Sequence, residues 1–223
     1  MCGRYVLGRS ESDLESIFDI DLVEPDVPAP SYNIAPSMRV PIVVARRLVG
    51  ARWGLVPRFA TSLTSGPTPF NARAEKLTSS PMYRGPFRQR RAIIPADGFY
   101  ERRKADQQSF YIHPIDDGVM AFAGLYEWWR PRDSDDPWLL SAAIITRGAQ
   151  GPMAGIHDRQ PLRLAPELWT EWLDPETPGD QDLLAAALDA TAESWEYRKV
   201  GPGWLSTRPG QHRDDAELLK PLD

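Results

Sequence analysis

Residues 119–129, VMAFAGLYEWW, and residues 138–146, WLLSAAIIT, decide the fold class of this chain. Both stretches consist mainly of aliphatic, β-branched and aromatic residues, a composition that favours β-strands. The same composition returns in five further runs on the N-terminal side: RVPIVVA at 39–45, LVGARWGLV at 48–56, RAIIPA at 91–96, DGFYERR at 97–103 and QSFYIH at 108–113. The centre of the chain is therefore predicted to be mostly β.

Helical patterns lie nearer the two ends of the chain. Ser10 or Ser12 can cap a short helix in the residues that follow. Later helices are predicted at PELWTEWL, 166–173, and at DQDLLAAALDAT, 180–191. The proline-rich VEPDVPAPSYNIAP, 23–36, predicts an extended, turn-rich connection.

The 22 prolines and 16 glycines indicate irregular loops over an antiparallel sheet or barrel. No repeat, heptad or low-complexity linker marks a domain boundary. We expect an α/β (α+β) fold in a single domain over residues 2–221, with a mostly antiparallel β-barrel-like core and peripheral helices. Residues 222–223 are the C-terminal end.

The composition excludes several classes of protein. One cysteine permits neither an internal disulfide nor a four-thiolate metal site. The opening MCGRYVLGRS has no apolar stretch of signal-peptide length, and no segment approaches the roughly 18 uninterrupted apolar residues of a membrane span. We expect a soluble, cytoplasmic protein without a membrane partner.

The net charge of −5 averages over two unlike halves. Residues 1–112 hold 16 basic against 11 acidic side chains, whereas residues 113–223 hold 10 against 20. Within 39–104 the imbalance is 14 against 3, and nearly all the basic side chains are arginines. Arginine suits bidentate phosphate contacts, so this region predicts an anion-binding surface. The alternative is a solvated arginine-rich face.

Cys2 becomes the N-terminal residue if Met1 is removed, as is normal before a small residue. The resulting 1,2-aminothiol combines an α-amine of pKa about 7.7–8.0 with a thiol of pKa about 8.5. An aldehyde forms an imine with the amine, and the thiol closes it into a five-membered thiazolidine. Alternatively, Cys2 is an ordinary small residue near the terminus.

The opening MCG also begins the glutamine amidotransferases that use an N-terminal cysteine as nucleophile. Those enzymes carry glycine-rich and Asn-Gly-Asp-type elements near the oxyanion site. This chain contains neither, which disfavours that class.

Several motifs resemble, in order and spacing, those of the SRAP (SOS response-associated peptidase) family. They are MCGRY at 1–5, YNIAP at 32–36, RWGLVP at 52–57, FNARAE at 70–75, IPADGFYE at 94–101 and IHDRQP at 156–161. The tail LSTRPGQHRDDAELLKPL resembles the closing segment of the family. The resemblance implies a single α/β domain that crosslinks to abasic sites in single-stranded DNA through the N-terminal cysteine. It implies no cofactor and no metal, and the family name records an older peptidase proposal.

The resemblance assigns catalytic roles to four residues: Cys2, Asn71, Glu101 and His157. Asn71 would hold the N-terminal amine and the opened sugar by hydrogen bonds. Glu101 and His157 would move protons during imine formation and ring opening. In isolation, Asn71 is equally a turn residue, Glu101 a surface glutamate, and His157 a structural histidine held by Asp158.

The resemblance also implies DNA contacts from Arg4 and Arg73, which fall in matched motifs, and from Thr146 at the end of SAAIIT, 141–146. Arg52, Arg84 and Phe59 are further candidates. The remaining arginines expected to extend the basic region are Arg58, Arg88, Arg90 and Arg91. Phosphate contacts position a strand without reading its sequence, and aromatic stacking tolerates any base.

The chain departs from the family pattern at four places. Phe59 and Arg102 replace tryptophans, which puts base stacking in doubt. Gln160 stands where methionine is common, and Pro209-Gly210 replaces Val-Asn.

Three functions follow as hypotheses. The first is a monomeric protein, nucleoid-associated when bound, that crosslinks to abasic single-stranded DNA and shields the lesion during the DNA damage response. The second is a thiol peptidase that acts on its own N-terminus, removing Met1, or on another protein. The third is a module that binds DNA without catalysis.

Overall fold

The computed structural model describes residues 2–132, 134–190, 195–206 and 210–222. Expectations that concern Met1, Thr191 and Pro209 fall outside these ranges. The described strands are β1 Tyr5–Leu7, β2 Leu22–Val23, β3 Ser31–Ile34, β4 Arg39–Val44, β5 Arg47–Trp53, β6 Asn71–Arg73, β7 Arg91–Ala96, β8 Gly98–Arg102, β9 Ser109–Pro114, β10 Met120–Trp129, β11 Leu139–Gly148, β12 Arg159–Pro161 and β13 Trp195–Val200. The α-helices are α1 Glu11–Phe18, α2 Arg84–Gln89, α3 Trp169–Leu173 and α4 Gln181–Asp189.

Five strands close into a barrel in the order β11-β10-β7-β4-β5. Four of the contacts are antiparallel, and the parallel pairing of β5 with β11 completes the ring. The two stretches that decide the fold class become β10 and β11, paired from Gly124 opposite Ile144 to Trp129 opposite Leu139. The mostly antiparallel, barrel-like core in a single mixed α/β domain is thus confirmed.

A second sheet, in the order β13-β9-β8-β1-β3, packs against the barrel through aromatic side chains. Tyr5 of β1 lies edge-on to Trp53, with ring centroids 5.2 Å apart, and Phe99 of β8 contacts Phe122 at 6.1 Å. Because strand side chains alternate between faces, Tyr100 points the other way and stacks on Trp204 near the C-terminus at 5.2 Å. Strands β1 and β8 therefore lie between the barrel and the C-terminal segment.

The helices differ from the sequence predictions in detail. Ser10, not Ser12, caps α1, through a capping box with Asp13. The predicted helix at 166–173 begins with a 3₁₀ turn at Pro166–Leu168 before α3. Helix α2 was not predicted, because Gly85 and Pro86 weaken its local signal. None of the helices in the described ranges is long and apolar enough to cross a membrane.

Arg91 is buried, which contradicts the prediction that it extends the basic surface. Its guanidinium donates hydrogen bonds to five backbone carbonyls, those of Phe87, Arg88, Trp172, Asp174 and Thr177, at 2.7–3.1 Å. A buried cation needs such partners to offset the loss of water. Arg91 therefore joins the end of α2 to α3 and the loop that follows it.

Candidate active site

Cys2 is fully buried just before β1. Its Sγ lies 4.0 Å from the carbonyl oxygen of Arg4. Burial raises the pKa of the thiol well above its ordinary value, and the negative charge of Glu101 raises it further. No helix follows Cys2 directly, since β1 comes next and α1 begins only at Glu11. The thiol therefore lacks the helix dipole that activates many catalytic cysteines.

The antiparallel pairing of β1 with β8 positions Glu101 near Cys2. Tyr5 of β1 faces Phe99 of β8 in antiparallel register, and continuing this register by two residues brings Glu101 beside Gly3. The side chain is only 7% exposed, and its Oε1 accepts a hydrogen bond from the backbone N–H of Arg102 at 3.1 Å. Its charge raises the pKa of both Cys2 and His157, so the carboxylate is close to both groups.

Asn71 opens β6, which runs parallel to β11 with Asn71 opposite Ile144. Its Nδ2 donates a hydrogen bond of 2.9 Å to the carbonyl oxygen of Cys2. Its Oδ1 is buried and has no hydrogen-bond partner among the described residues. A buried amide oxygen in this position can accept a hydrogen bond from a bound group.

His157 lies between a 3₁₀ turn at Gly151–Gly155 and β12. Its side chain is 11% exposed, and its Nδ1 lies 2.8 Å from Oδ1 of Asp158 and accepts the backbone N–H of Arg159 at 3.0 Å. Burial lowers the pKa of His157, and the charges of Glu101 and Asp158 oppose that shift. The structure therefore brings Cys2, Asn71, Glu101 and His157 together from four separate segments.

The residues predicted to contact DNA do not all lie in the same environment. Arg73 and Arg84 are exposed, at the end of β6 and the start of α2, and the Phe59 ring is 63% exposed. Arg52 donates to the carbonyl oxygen of Gly54 at 3.1 Å and to Ser37 Oγ at 2.9 Å.

Arg4 and Thr146 are less available than the other predicted contacts. Arg4 is partly exposed and donates to the Gly3 carbonyl at 2.9 Å. Thr146 is fully buried, because β11 is an interior strand of the barrel. Its backbone and side-chain oxygens accept from Arg159, at 2.5 and 3.3 Å. Thr146 therefore has no exposed surface with which it could contact a DNA strand.

Arg159 and Lys104 belong to the surroundings of the site, although the sequence predicts neither. Arg159 forms a bidentate ion pair with Glu75 at 2.7 and 3.0 Å, joining the FNARAE motif to the IHDRQP motif. Lys104 is close enough to lower the pKa of His157 and of Asp158. The position of Arg159 inside the IHDRQP motif could have indicated that it lies near the site, whereas no sequence feature indicated Lys104.

The basic surplus of residues 39–104 is partly neutralised by acidic partners outside that window. The pairs are Arg39 with Asp26, Arg46 with Asp19 and Asp21, Arg47 with Glu24, Arg90 with Glu127, and Arg103 with Asp106. Within the described residues no salt bridge engages Arg52, Arg58, Arg73, Arg84 or Arg88. The predicted anion-binding surface is therefore smaller than the composition indicates.

Comparison with known proteins identifies the family of this chain. The chain belongs to the SRAP family: the family model described as SOS response associated peptidase (SRAP) matches residues 1–203. It is 36% identical over 227 residues to the Abasic site processing protein YoaM of Bacillus subtilis, covering 98% of this chain and 97% of that protein. It is 30% identical over 236 residues to the Abasic site processing protein YedK of Escherichia coli, with both chains fully covered.

The fold also occurs in solved structures. A crystal structure of a protein from Bacteroides thetaiotaomicron superimposes with a TM-score of 0.84 at 20% identity, covering 99% of this chain and 100% of that one. At this identity the likeness concerns the fold alone.

Proposed function

We propose that this protein processes abasic sites by capturing the aldehyde of the lesion covalently in single-stranded DNA. The names of its relatives YoaM and YedK support abasic-site processing. The observation that carries the proposal is the grouping of Glu101, His157 and Asn71 around the buried Cys2. These groups are what condensation of an aminothiol with an aldehyde needs: two bonding atoms, proton carriers and a hydrogen-bonding amide.

The reaction proceeds in two steps once Met1 has been removed. The α-amine of Cys2 adds to the aldehyde carbon of the opened sugar, and loss of one water gives an imine. Sγ then adds to the imine carbon while the thiol proton moves to nitrogen, which closes the thiazolidine. Glu101 and His157 carry the protons between these atoms, and they act in the reverse direction when the ring opens.

Asn71 is proposed to orient the reacting amine. Its Nδ2 holds the Cys2 carbonyl, and its buried Oδ1 is available to accept a hydrogen bond from the amine or from a sugar hydroxyl. One side chain would then fix both ends of the Cys2 backbone relative to the aldehyde. Such positioning lowers the entropic cost of the bimolecular step.

The DNA strand is proposed to be held mainly through phosphates. Arg73 lies two residues beyond Asn71 and is exposed, so it is the strongest candidate for a phosphate beside the lesion. Arg4, Arg52 and Arg84 add charge, and Phe59 offers a face for stacking. We assign buried Thr146 an indirect role, which is to hold the Arg159 side chain.

The raised thiol pKa favours aldehyde capture over the peptidase alternative. A cysteine peptidase attacks with its thiolate, and burial together with Glu101 disfavours that form in Cys2. In the thiazolidine route the amine attacks first, and the thiol adds afterwards to an activated imine.

Three measurements on the same preparations separate the three hypotheses. The wild type, Cys2→Ala and Cys2→Ser are incubated with a single-stranded oligonucleotide that contains one abasic site, and then analysed on denaturing gels, by peptide mass mapping and by equilibrium binding. We expect a denaturation-resistant adduct only with the wild type. Cysteine-dependent peptide cleavage without an adduct would favour the peptidase. Binding that is equal in all three proteins, without an adduct, would favour the non-catalytic module.

A further inference from the structure

Two exposed tryptophans line one open pocket at the end of the β10–β11 hairpin. Trp128 of β10 is 45% exposed, and Trp138, just before β11, is 51% exposed. The pocket measures about 460 Å³, and its other lining residues are Arg58, Arg90 and Glu127. Ligand pockets typically span roughly 300–1,000 Å³. Large apolar rings that face solvent inside such a pocket indicate a binding surface.

Arg90 and Glu127 neutralise each other within this pocket. The Glu127 side chain is only 6% exposed, and its Oε2 accepts a hydrogen bond from Arg90 Nη2 at 2.9 Å. Its Oε1 accepts from the backbone N–H of Trp128 at 3.0 Å. Both carboxylate oxygens are therefore engaged, and the ion pair adds little net charge to the pocket.

Two arginines supply positive charge beside the tryptophans. The Arg130 guanidinium lies 4.8 Å from the centroid of the Trp138 ring, within the range of a cation–π contact. Arg58 is exposed, and among the residues that the structure describes no salt bridge engages it. Asp135 and Asp136 are exposed in the connection before Trp138 and repel anions. A phosphate is therefore expected beside Arg58 rather than beside that connection.

Hydrogen bonds join the pocket to the turn that carries Phe59. Arg58 and Phe59 form the tip of this turn, which the Ala60 N–H closes by donating to the Pro57 carbonyl at 2.9 Å. Trp129 Nε1 donates to the Ala60 carbonyl at 2.8 Å and so holds the turn against the end of β10. A strand that stacks on the exposed Phe59 ring can therefore continue into the pocket.

We propose that this pocket binds a nucleobase of the single strand that flanks the abasic site. The base stacks on Trp128 or Trp138, and the adjoining phosphate lies beside Arg58. This assignment rests on the proposed function of the Cys2 site and extends the path of the strand beyond Phe59. Aromatic rings stack on any base, and phosphate contacts do not read sequence. The pocket thus adds affinity for the strand and takes no part in the chemistry at Cys2.

The double variant Trp128→Ala/Trp138→Ala tests this assignment with single strands that contain no abasic site. We expect fluorescence anisotropy to show binding about 5- to 150-fold weaker, the value of one stacked base, with an unchanged salt slope. The matching double phenylalanine variant should retain binding, because it keeps the aromatic faces. Arg58→Ala should instead reduce the slope of log affinity against log salt by about 0.7. Ile115→Ala is the control, because it removes an exposed apolar side chain between β9 and β10 and should bind as the wild type does.

Photo-crosslinking locates the base independently. Lesion-free strands with 5-iodouracil at successive positions are bound and irradiated, and peptide mapping should find attachment at Trp128 or Trp138. Wild-type affinity in the double alanine variant, or attachment at neither tryptophan, would overturn the inference and leave the rings to a partner of another class, such as a protein. If the wild type formed no adduct with an abasic strand, the proposed function would fail, and these measurements would still decide whether the pocket binds a base.

Discussion

Glu101→Gln separates aldehyde capture from thiolate chemistry, because the two mechanisms predict changes of opposite sign. The substitution preserves the shape of a side chain that is 7% exposed, and the amide oxygen can still accept from the Arg102 N–H. It removes the negative charge that raises the pKa of the Cys2 thiol and of His157. Both pKa values should therefore fall, and at a fixed pH near neutrality the thiolate fraction of Cys2 should rise.

A reaction limited by the thiolate would become faster in this variant. Aldehyde capture should become slower, because a carboxylate that carries protons has been lost. We expect the initial crosslinking rate to fall about 10²-fold, or about 2.7 kcal/mol in the barrier, at the lower end of the usual contribution of general acid–base catalysis. The assay is a time course on denaturing gels with an abasic oligonucleotide, and exposed Glu167→Gln is the control. An unchanged or faster rate would refute the role of Glu101.

The remaining predictions concern DNA binding and stability. Arg73→Ala should weaken binding and reduce the slope of log affinity against log salt by about 0.7, measured by fluorescence anisotropy; an unchanged slope would make Arg73 structural. Phe59→Ala should weaken binding of the strand by about 1–3 kcal/mol if the ring stacks on a base, whereas Phe59→Trp should retain binding because it keeps an aromatic face. Arg91→Met should leave the salt slope unaltered but lower the free energy of unfolding by at least about 1–3 kcal/mol in urea titrations, because buried carbonyls lose their donor.

Local composition was sufficient to predict the principal strands. The runs that became β4, β5, β7, β8, β9, β10 and β11 are rich in aliphatic and aromatic residues, and each forms a strand close to its predicted place. Closure of the barrel could not be predicted in this way, because it depends on the parallel contact between β5 and β11, about 90 residues apart. Short β2 ends at the first residue of the proline-rich segment 23–36 and β3 lies within it, and the composition of that segment indicated only an extended connection.

Composition alone does not predict a basic binding surface, because some of the arginines pair with carboxylates elsewhere in the chain. Arg90 meets Glu127, 37 residues away, and Arg91 is buried beside it, although the two arginines are adjacent in sequence. Arg90 caps the C-terminal end of α2 and Arg91 begins β7, so two adjacent arginines fall in different elements and do not define one surface. Thr146 shows the same limit, since its matched motif gave no indication that the barrel would bury it. The family resemblance assigns Cys2, Asn71, Glu101 and His157 to one site, and their catalytic roles stay a prediction.

The intact mass of the covalent adduct shows whether Cys2 captures the abasic aldehyde as a thiazolidine. The wild-type protein is mixed with an abasic single-stranded oligonucleotide, and the adduct is weighed and then digested to locate the attachment. We expect the mass of the protein without Met1 plus that of the oligonucleotide minus one water, with the sugar carbon bonded to both the nitrogen and Sγ of Cys2. An adduct that retains Met1, or one attached at any other residue, would contradict it.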